Sequence, residues 1–328
     1  MMQFAFAIKH LKNYKLSVIC FALFGLYMCS MINKERFTYS VLINYTDSME
    51  KGKALSHRLR GFSDYELSAS ALEKAIESGI KYLEIDVRAS SDNVLYLYHD
   101  PCTGKDTSET FCFSSTNSND IKKVHYKNSE NIIPLETALN LFKMKKKDYQ
   151  ILCIDIKDYG YEKNYVNLVK KFELEDNTIF ISWIPQTIIG LNQLSIKSPL
   201  ILSHFNFTNY YWFIGDIISY LFKNSKISLL KYVILGSNRY NDSLTNIDKG
   251  YQHCLLSQQL PSNLESILSS SKGGICIPKN MLSQELIDYC KEKKLKIWIF
   301  SVTSVQEFKK YSSNDQINVI FCDFLKNE

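Results

Sequence analysis

The sequence has no CxxC pair, no glycine-rich loop behind an apolar run and no stripe of like charge. Each absence argues against a class of protein. Without paired cysteines at ligand spacing, a zinc ribbon is not expected. Without a glycine-rich turn after a strand, neither a dinucleotide-binding nor a P-loop fold is indicated. The net charge is formally +5, and the lysines are scattered apart from "KMKKK" at 143–147 and "KEKKLK" at 291–296. Both runs read as solvated helix ends, so no nucleic-acid partner is expected. The nine cysteines leave the redox compartment open. Cys153, Cys276 and Cys322 sit in apolar runs as small core residues. Cys102 and Cys112 flank a polar loop and are candidates for a disulfide.

What is present is an ordinary globular composition, 45% hydrophobic, with mean hydropathy −0.16. One stretch stands apart. "LSVICFALFGLYMCSMI" (16–32) carries no charge; Lys9, Lys12 and Lys15 precede it, and Lys34 and Arg36 follow. It is at the short end of what spans a bilayer and has no well-placed small residues for cleavage. It reads as an uncleaved signal anchor, a single-pass transmembrane helix. Residues 1–15 are then a cytoplasmic tail, and the charge bias puts the rest of the chain outside the cytoplasm. Residues 33–53 are polar and mixed and read as a linker to a domain over 54–328.

From residue 54 short apolar runs alternate with helical segments. The runs are "KYLEIDV" (81–87), "VLYLYHD" (94–100), "QILCIDIKD" (150–158), "TIFISW" (178–183), "PLILSH" (199–204), "GGICIP" (273–278), "LKIWIFS" (295–301) and "INVIFCD" (317–323). Near-continuous buried strands alternating with helices indicate a parallel α/β sheet, and about eight such units favour a (β/α)8 TIM barrel. In that fold the active site lies at the C-terminal strand ends. The residues there are His57 and Arg58, Glu84 and Asp86, His99 and Asp100, and Asp155 and Lys157. The i, i+2 spacing in "EID" and "DIK" puts each pair on one strand face. Carboxylates so grouped suit a hard divalent cation such as Mg²⁺ or Ca²⁺. Histidines transfer protons near neutral pH, and Arg58 and Lys157 can neutralise an anionic oxygen. Together these describe phosphodiester chemistry.

At these residues the sequence resembles the glycerophosphodiester phosphodiesterase family of the phospholipase-C-like barrels. "HRLRGFSDYE" is similar to its opening His-Arg-Gly and Pro-Glu-Asn segments. "LEIDVRASSDNVLYLYHDP" (83–101) resembles its Glu-x-Asp and His-Asp strands, "IIPLETAL" (132–139) a Pro-x-Leu-Glu-Glu segment, and "DIK" its Glu-x-Lys. "KIWIFSVTS" and "VIFCDF" resemble its closing strands. The resemblance implies His57 and His99 as the general acid/base pair, and Glu84, Asp86 and Asp155 as holders of a divalent cation. Arg58 and Lys157 would grip the phosphate, with Glu66 in support and Trp298 beside the substrate. It implies release of glycerol 3-phosphate and an alcohol, helped by an adjacent substrate hydroxyl. The sequence departs from the pattern at Leu59 (or Gly61 serves as the glycine, in a longer turn), at Leu67 in place of asparagine, and at Asp155 in place of glutamate. The anchor and the aromatic segment leave a phospholipase acting on intact lipid as one rival, and these departures leave an inactive phosphate-binding barrel at the membrane as another. The aromatic segment 205–222 reads as an amphipathic helix on the barrel or as an element touching lipid.

Overall fold

The computed structural model describes residues 36–45, 52–203, 205–207, 255–257, 260 and 262–326. The expected tail and anchor (1–15 and 16–32), and all of the aromatic segment from 208 to 222, lie outside these residues. Among the described residues no helix is long and apolar enough to cross a membrane.

Eleven strands are described: β1 (Ala54–Ser56), β2 (Tyr82–Ala89), β3 (Leu95–Leu97), β4 (Ile151–Ile156), β5 (Thr178–Ser182), β6 (Leu200–Ser203), β7 (Phe205–Phe207), β8 (Leu255–Ser257), β9 (Gly274–Pro278), β10 (Lys296–Val302) and β11 (Ile317–Cys322). Eight of them run parallel in the order β1-β2-β4-β5-β6-β9-β10-β11, and β11 pairs back onto β1. The sheet therefore closes into an eight-stranded parallel barrel, as the alternating pattern predicts. Strands β7 and β8 form a separate parallel pair.

Helices fill the crossovers. Ala69–Ser78 shows why such a segment is helical. The Ser68 hydroxyl accepts from Ala71 N–H at its start, and Gly79 ends it with φ 79°, a conformation that glycine adopts without steric cost. Ala71, Leu72, Ala75 and Ile76 form its buried face. Leu135–Lys145 follows Pro134 and carries Lys143 and Lys145 in its last turn, where cations favour the helix dipole.

The period-two alternation of each strand divides the core in two. Leu83, Ile85 and Val87 point outward to the helices. The other set, with Leu55, Cys153, Ile181, Ile201, Cys276, Trp298 and Phe321 from seven strands, fills the barrel interior. That filling forms a solid floor under the strand C-termini.

Two expectations are corrected. The run "VLYLYHD" is not a barrel strand; β3 turns back antiparallel on β2, with Val87 opposite Leu97. The eighth barrel position belongs to the three-residue β1. Residues 37–45 are also not plain linker. Tyr39–Tyr45 is helical, and Phe37 and Leu42 are fully buried. Phe37 accepts from Leu325 N–H at 2.7 Å, and its ring lies 5.0 Å from that of Phe324. This segment is thereby tied to the end of the described chain.

The turn after β1 is strained. Arg58 and Leu59 have φ 54° and 56°, and Leu59 is wholly buried. Left-handed backbone costs a side-chain-bearing residue roughly 1–2 kcal/mol. Truncating a buried leucine costs about 2–5 kcal/mol. The second figure is larger, so Leu59→Gly is expected to destabilise the fold by about 1–3 kcal/mol although it relieves the backbone. Urea unfolding of wild type and variant measures this; an unchanged or raised midpoint would show that strain dominates.

Candidate active site

The carboxylates of the site arise from strand register. On β2 the inward positions Glu84 and Asp86 face the barrel axis. Pairing with β4 sets Asp86 level with Asp155. All three are buried, and their ligand oxygens lie within 4.8 Å of one another. Three buried carboxylates this close repel strongly and are tolerated only with compensating charge. Lys157, itself 3% exposed, places Nζ 2.7 Å from Asp86 Oδ1 and 2.6 Å from Asp155 Oδ2. Arg58 donates its backbone N–H to Glu84 Oε2 at 2.7 Å. The left-handed φ of Arg58 thus belongs to the turn that presents this donor. Arg58 Nε stands 3.3 Å from Asp86 Oδ2, an ion pair without hydrogen-bond alignment.

The proton affinities divide accordingly. Burial and the charges of Asp86 and Asp155 push Glu84 well above the usual carboxylate range. Burial and Asp86 raise Asp155. For Asp86 burial acts upward, but Lys157, His99 and Arg58 outweigh it and hold the group well below the usual range.

Both expected histidines reach this mouth, by different routes. His57 follows β1 directly. His99 arrives on the β2–β3 hairpin, which folds back so that Tyr98 N–H donates to the Asp86 carbonyl at 3.1 Å. Each ring is held through Nδ1 by a carboxylate, which can only accept: His57 by Asp323 at 2.6 Å and His99 by Asp100 at 2.6 Å. That arrangement fixes the tautomer, with the proton on Nδ1. Burial, with Lys157 and Arg58, lowers His99 to about 4 against the opposing pull of Asp86, so His99 is neutral at neutral pH.

The other expected residues fall as follows. Glu66 accepts from Arg60 Nε at 2.6 Å and lies 3.5 Å from Arg58 Nη1, beside the site and in contact with both arginines. The helix behind it is capped by Ser68 instead. Lys157, expected to face a phosphate, lies within the carboxylate cluster as its counter-charge. Trp298, expected beside the substrate, is packed in the barrel interior at 1% exposure, with Tyr82 at 5.9 Å and Phe321 at 6.2 Å. It underlies the site, since Phe321 in turn meets the His57 ring edge-on at 5.4 Å.

Sequence reasoning missed Asp323 and Arg88. Asp323 holds His57, Arg60 (2.7 Å) and the Ser301 hydroxyl (2.6 Å) together. Its signal was its place at the end of the "INVIFCD" run. Arg88 continues the alternation Glu84, Asp86. Buried, it donates to the His99 carbonyl at 2.9 Å and to Asp158 at 2.7 Å, fixing the loop that carries His99.

The residues present fit a divalent cation. The donor set is all oxygen, as Mg²⁺ and Ca²⁺ require. Asp155 Oδ1 is buried with no hydrogen-bond partner, and Asp86 Oδ2 has only the unaligned ion pair. A buried carboxylate oxygen left without a donor is costly, and a cation would satisfy both. Glu84, Asp86 and Asp155 are the residues that would hold it.

Asp323 carries a pH signature. Burial acts upward on its carboxyl, but His57, Ser301 and Arg60 outweigh it and hold it well below the usual range. A depressed carboxyl stabilises the fold fully above its unfolded value, near 4, and loses that contribution as pH falls toward the folded value. The margin of wild type over Asp323→Asn is expected to be about 1–3 kcal/mol at pH 7 and to shrink below about pH 4. Urea midpoints at pH 7 and pH 3 check this. An equal margin at both pH values would contradict it.

The comparisons with known proteins agree with this geometry. Residues 53–211 match the model of the glycerophosphoryl diester phosphodiesterase family. No curated protein matches the chain. Among solved structures, a glycerophosphodiester phosphodiesterase from Agrobacterium tumefaciens is similar at TM-score 0.55 and 16% identity, covering 83% of this chain and 96% of that one. One from Parabacteroides distasonis is similar at TM-score 0.53 and 19% identity, over 83% and 92%. An Oleispira antarctica phosphodiesterase, solved with the product sn-glycerol-3-phosphate, is similar at TM-score 0.55 and 16% identity, also over 83% and 92%. At these identities the structures speak for the shared barrel. The family match runs from β1 through β6 and takes in the carboxylates, both histidines, Arg58 and Lys157. Over residues 53–211 the chain matches the glycerophosphoryl diester phosphodiesterase family, and that match supports an enzyme of the phosphoric diester hydrolase class.

Proposed function

We propose that the chain hydrolyses a glycerophosphodiester to glycerol 3-phosphate and an alcohol, in a reaction that needs a divalent cation. The observation that carries this reading is the charge of the mouth. Three carboxylates face two fixed cations, Arg58 and Lys157. As charged side chains alone they would repel a phosphodiester; with a divalent cation the balance turns positive and the anion is attracted. The product found in the Oleispira antarctica structure supports the choice of diester.

A bound cation supplies Lewis-acid polarisation of a phosphoryl oxygen. Arg58 adds positive charge at the phosphate, while Lys157 stays the counter-charge of the carboxylates. One histidine takes a proton from the attacking oxygen, and the other gives one to the departing alkoxide. The attacking oxygen's bond to phosphorus forms as the bond from phosphorus to the alcohol oxygen breaks. Over the whole reaction one water is consumed, and glycerol 3-phosphate and the alcohol leave.

Asp86→Ala removes a ligand and should lower both cation affinity and turnover. His99→Ala should leave cation affinity near wild type and lower turnover by about 10²–10⁴-fold. Titration calorimetry and released glycerol 3-phosphate read the two effects. Equal turnover of the wild type in chelator, or undiminished cation affinity in Asp86→Ala, would overturn the assignment. A wild type that binds ligand but turns over no diester would favour the inactive barrel.

The proposal extends to location: residues 16–32 anchor the chain in a membrane, with the barrel outside the cytoplasm. The uncharged run behind three lysines supports it. So does the Cys102–Cys112 disulfide, a bond that persists in oxidising compartments. A reporter active only outside the cytoplasm, fused after Glu328, is expected to give signal. An expressed but silent fusion would reverse the orientation.

A further inference from the structure

Residues 36–45 form a strap that precedes the barrel and lies outside the matched family region, which begins at residue 53. A mere lead-in would be solvated, but Phe37 is 2% exposed and Leu42 is wholly buried. The Phe37 ring lies 5.0 Å from Phe324. Tyr39 lies 5.6 Å from Phe324 and 5.9 Å from Phe62. Phe62 closes the group at 6.3 Å from Phe324. All four separations are in the range of attractive ring pairs. The rings join three pieces of chain: the strap, the turn after β1 and the end of β11.

The last two pieces carry part of the site. His57, Arg58 and Arg60 stand in the turn, and Asp323 directly precedes Phe324. On one side the Asp323 backbone is held by its N–H bond to the Val302 carbonyl at 3.0 Å. Beyond it β11 has ended, and Leu325 N–H donates to the Phe37 carbonyl at 2.7 Å. Gly61 has φ +84°, and a Cβ there would meet Leu325 O at 2.7 Å and Phe324 Cβ at 2.8 Å. The turn and the chain beyond β11 are thus in direct contact, and the strap rings pack against both.

We propose that Phe37 and Tyr39 are positioning residues for the reaction, acting through Phe324 and Asp323 on His57. The inference rests on the phosphodiesterase reading and deepens it. Asp323 keeps its carboxylate 2.6 Å from His57 Nδ1 while also meeting Arg60 and the Ser301 hydroxyl. A carboxylate with three partners tolerates little rotation of its own backbone. The next residue, Phe324, is 3% exposed, and its clasped ring limits that rotation. Without the two strap rings, Phe324 keeps only Phe62 as a ring partner among the described residues. Neither strap residue belongs to the carboxylate cluster or its cations, so the effect falls on the chemical step rather than on binding.

The test uses the full chain with saturating divalent cation and glycerophosphocholine, read by released glycerol 3-phosphate. In Phe37→Ala and in Tyr39→Ala kcat is expected to fall about tenfold with KM little changed, a fraction of the roughly 10²-fold that a misplacement of about 1 Å can cost. Tyr39→Phe keeps the ring and is expected to keep kcat. In an Asp323→Asn background the loss from Phe37→Ala is expected to vanish, because residues acting through one partner are not additive. Leu286→Ala, at a wholly buried position of the helix Gln284–Glu292, controls for destabilisation alone and is expected to keep kcat. Unchanged kcat in both strap variants, an undiminished loss in Asp323→Asn, or an equal loss in Leu286→Ala overturns the proposal while leaving the phosphodiesterase reading standing. Should neither alanine variant fold, Tyr39→Leu takes their place. If no diester turns over, the phosphodiesterase reading fails, and the downfield proton signal of His57 Nδ1–H, assigned by its change in Asp323→Asn, is followed by NMR. Its loss or broadening in Phe37→Ala but not in Leu286→Ala then supports the strap; an unchanged signal, or equal loss in both, overturns it.

Discussion

Mutual repulsion of three buried carboxylates is the constraint on which the site is organised. Glu84, Asp86 and Asp155 lie within 4.8 Å of one another and are nearly sealed from water. A barrel interior of apolar side chains offers them no screening. The structure answers with charge from two directions. Lys157, on the same strand as Asp155, enters the cluster, and Arg58 brings a backbone N–H and a guanidinium from the turn after β1. Even so, Glu84 and Asp155 stay raised and two oxygens are underserved. A stable fold alone would replace such a group with apolar side chains. Its presence is a functional feature, and a divalent cation is the ligand that its remaining charge calls for.

The same economy of charge extends outward. Asp323 and Asp100 each hold one histidine, and each histidine acts on a different carboxylate: His57 on Asp155 and His99 on Asp86. Asp323 joins His57 to Arg60, Arg60 joins Glu66, and Glu66 reaches Arg58. Arg88 and Asp158 hold the His99 loop from the β2 and β4 side. The first loop and the last strand are therefore coupled through one chain of ion pairs, and a defect at Asp323 is felt at both His57 and Arg60.

How much of this was legible in the sequence depends on the range of the pattern that encodes it. The barrel was legible because buried strands leave continuous apolar runs and capped helices leave Ser, Pro and Lys at their ends. Glu84 with Asp86, and Asp155 with Lys157, were legible because a two-residue period puts them on one face. The His57–Asp323 pair spans 266 residues, and no local period reports it. The fold-back of β3 was hidden because an apolar run of that length reads alike in parallel and antiparallel pairing. Trp298 illustrates the opposite error. Its resemblance to the family's closing tryptophan strand drew a substrate role, yet its alternation places it in the interior floor. Phe37 and Leu42 were missed because two apolar residues in a polar stretch carry too little periodicity to announce a packed segment.

The departures from the family pattern can now be weighed physically. Leu59 and Leu67 both take left-handed backbone, with φ 56° and 60°, where glycine or asparagine would sit with less strain. Both are buried. Leu67 also donates its N–H to the Arg58 carbonyl at 3.2 Å, so the two strained residues close one loop around Arg58. Burial of two leucines offsets two left-handed residues, and the Arg58 donor keeps its aim at Glu84. Asp155 is shorter than glutamate by one methylene, yet strand register still brings its oxygens into the cluster and within 2.6 Å of Lys157. None of the three substitutions removes a charge or displaces a donor. The geometry of the carboxylate cluster survives these departures, so they do not by themselves favour an inactive barrel.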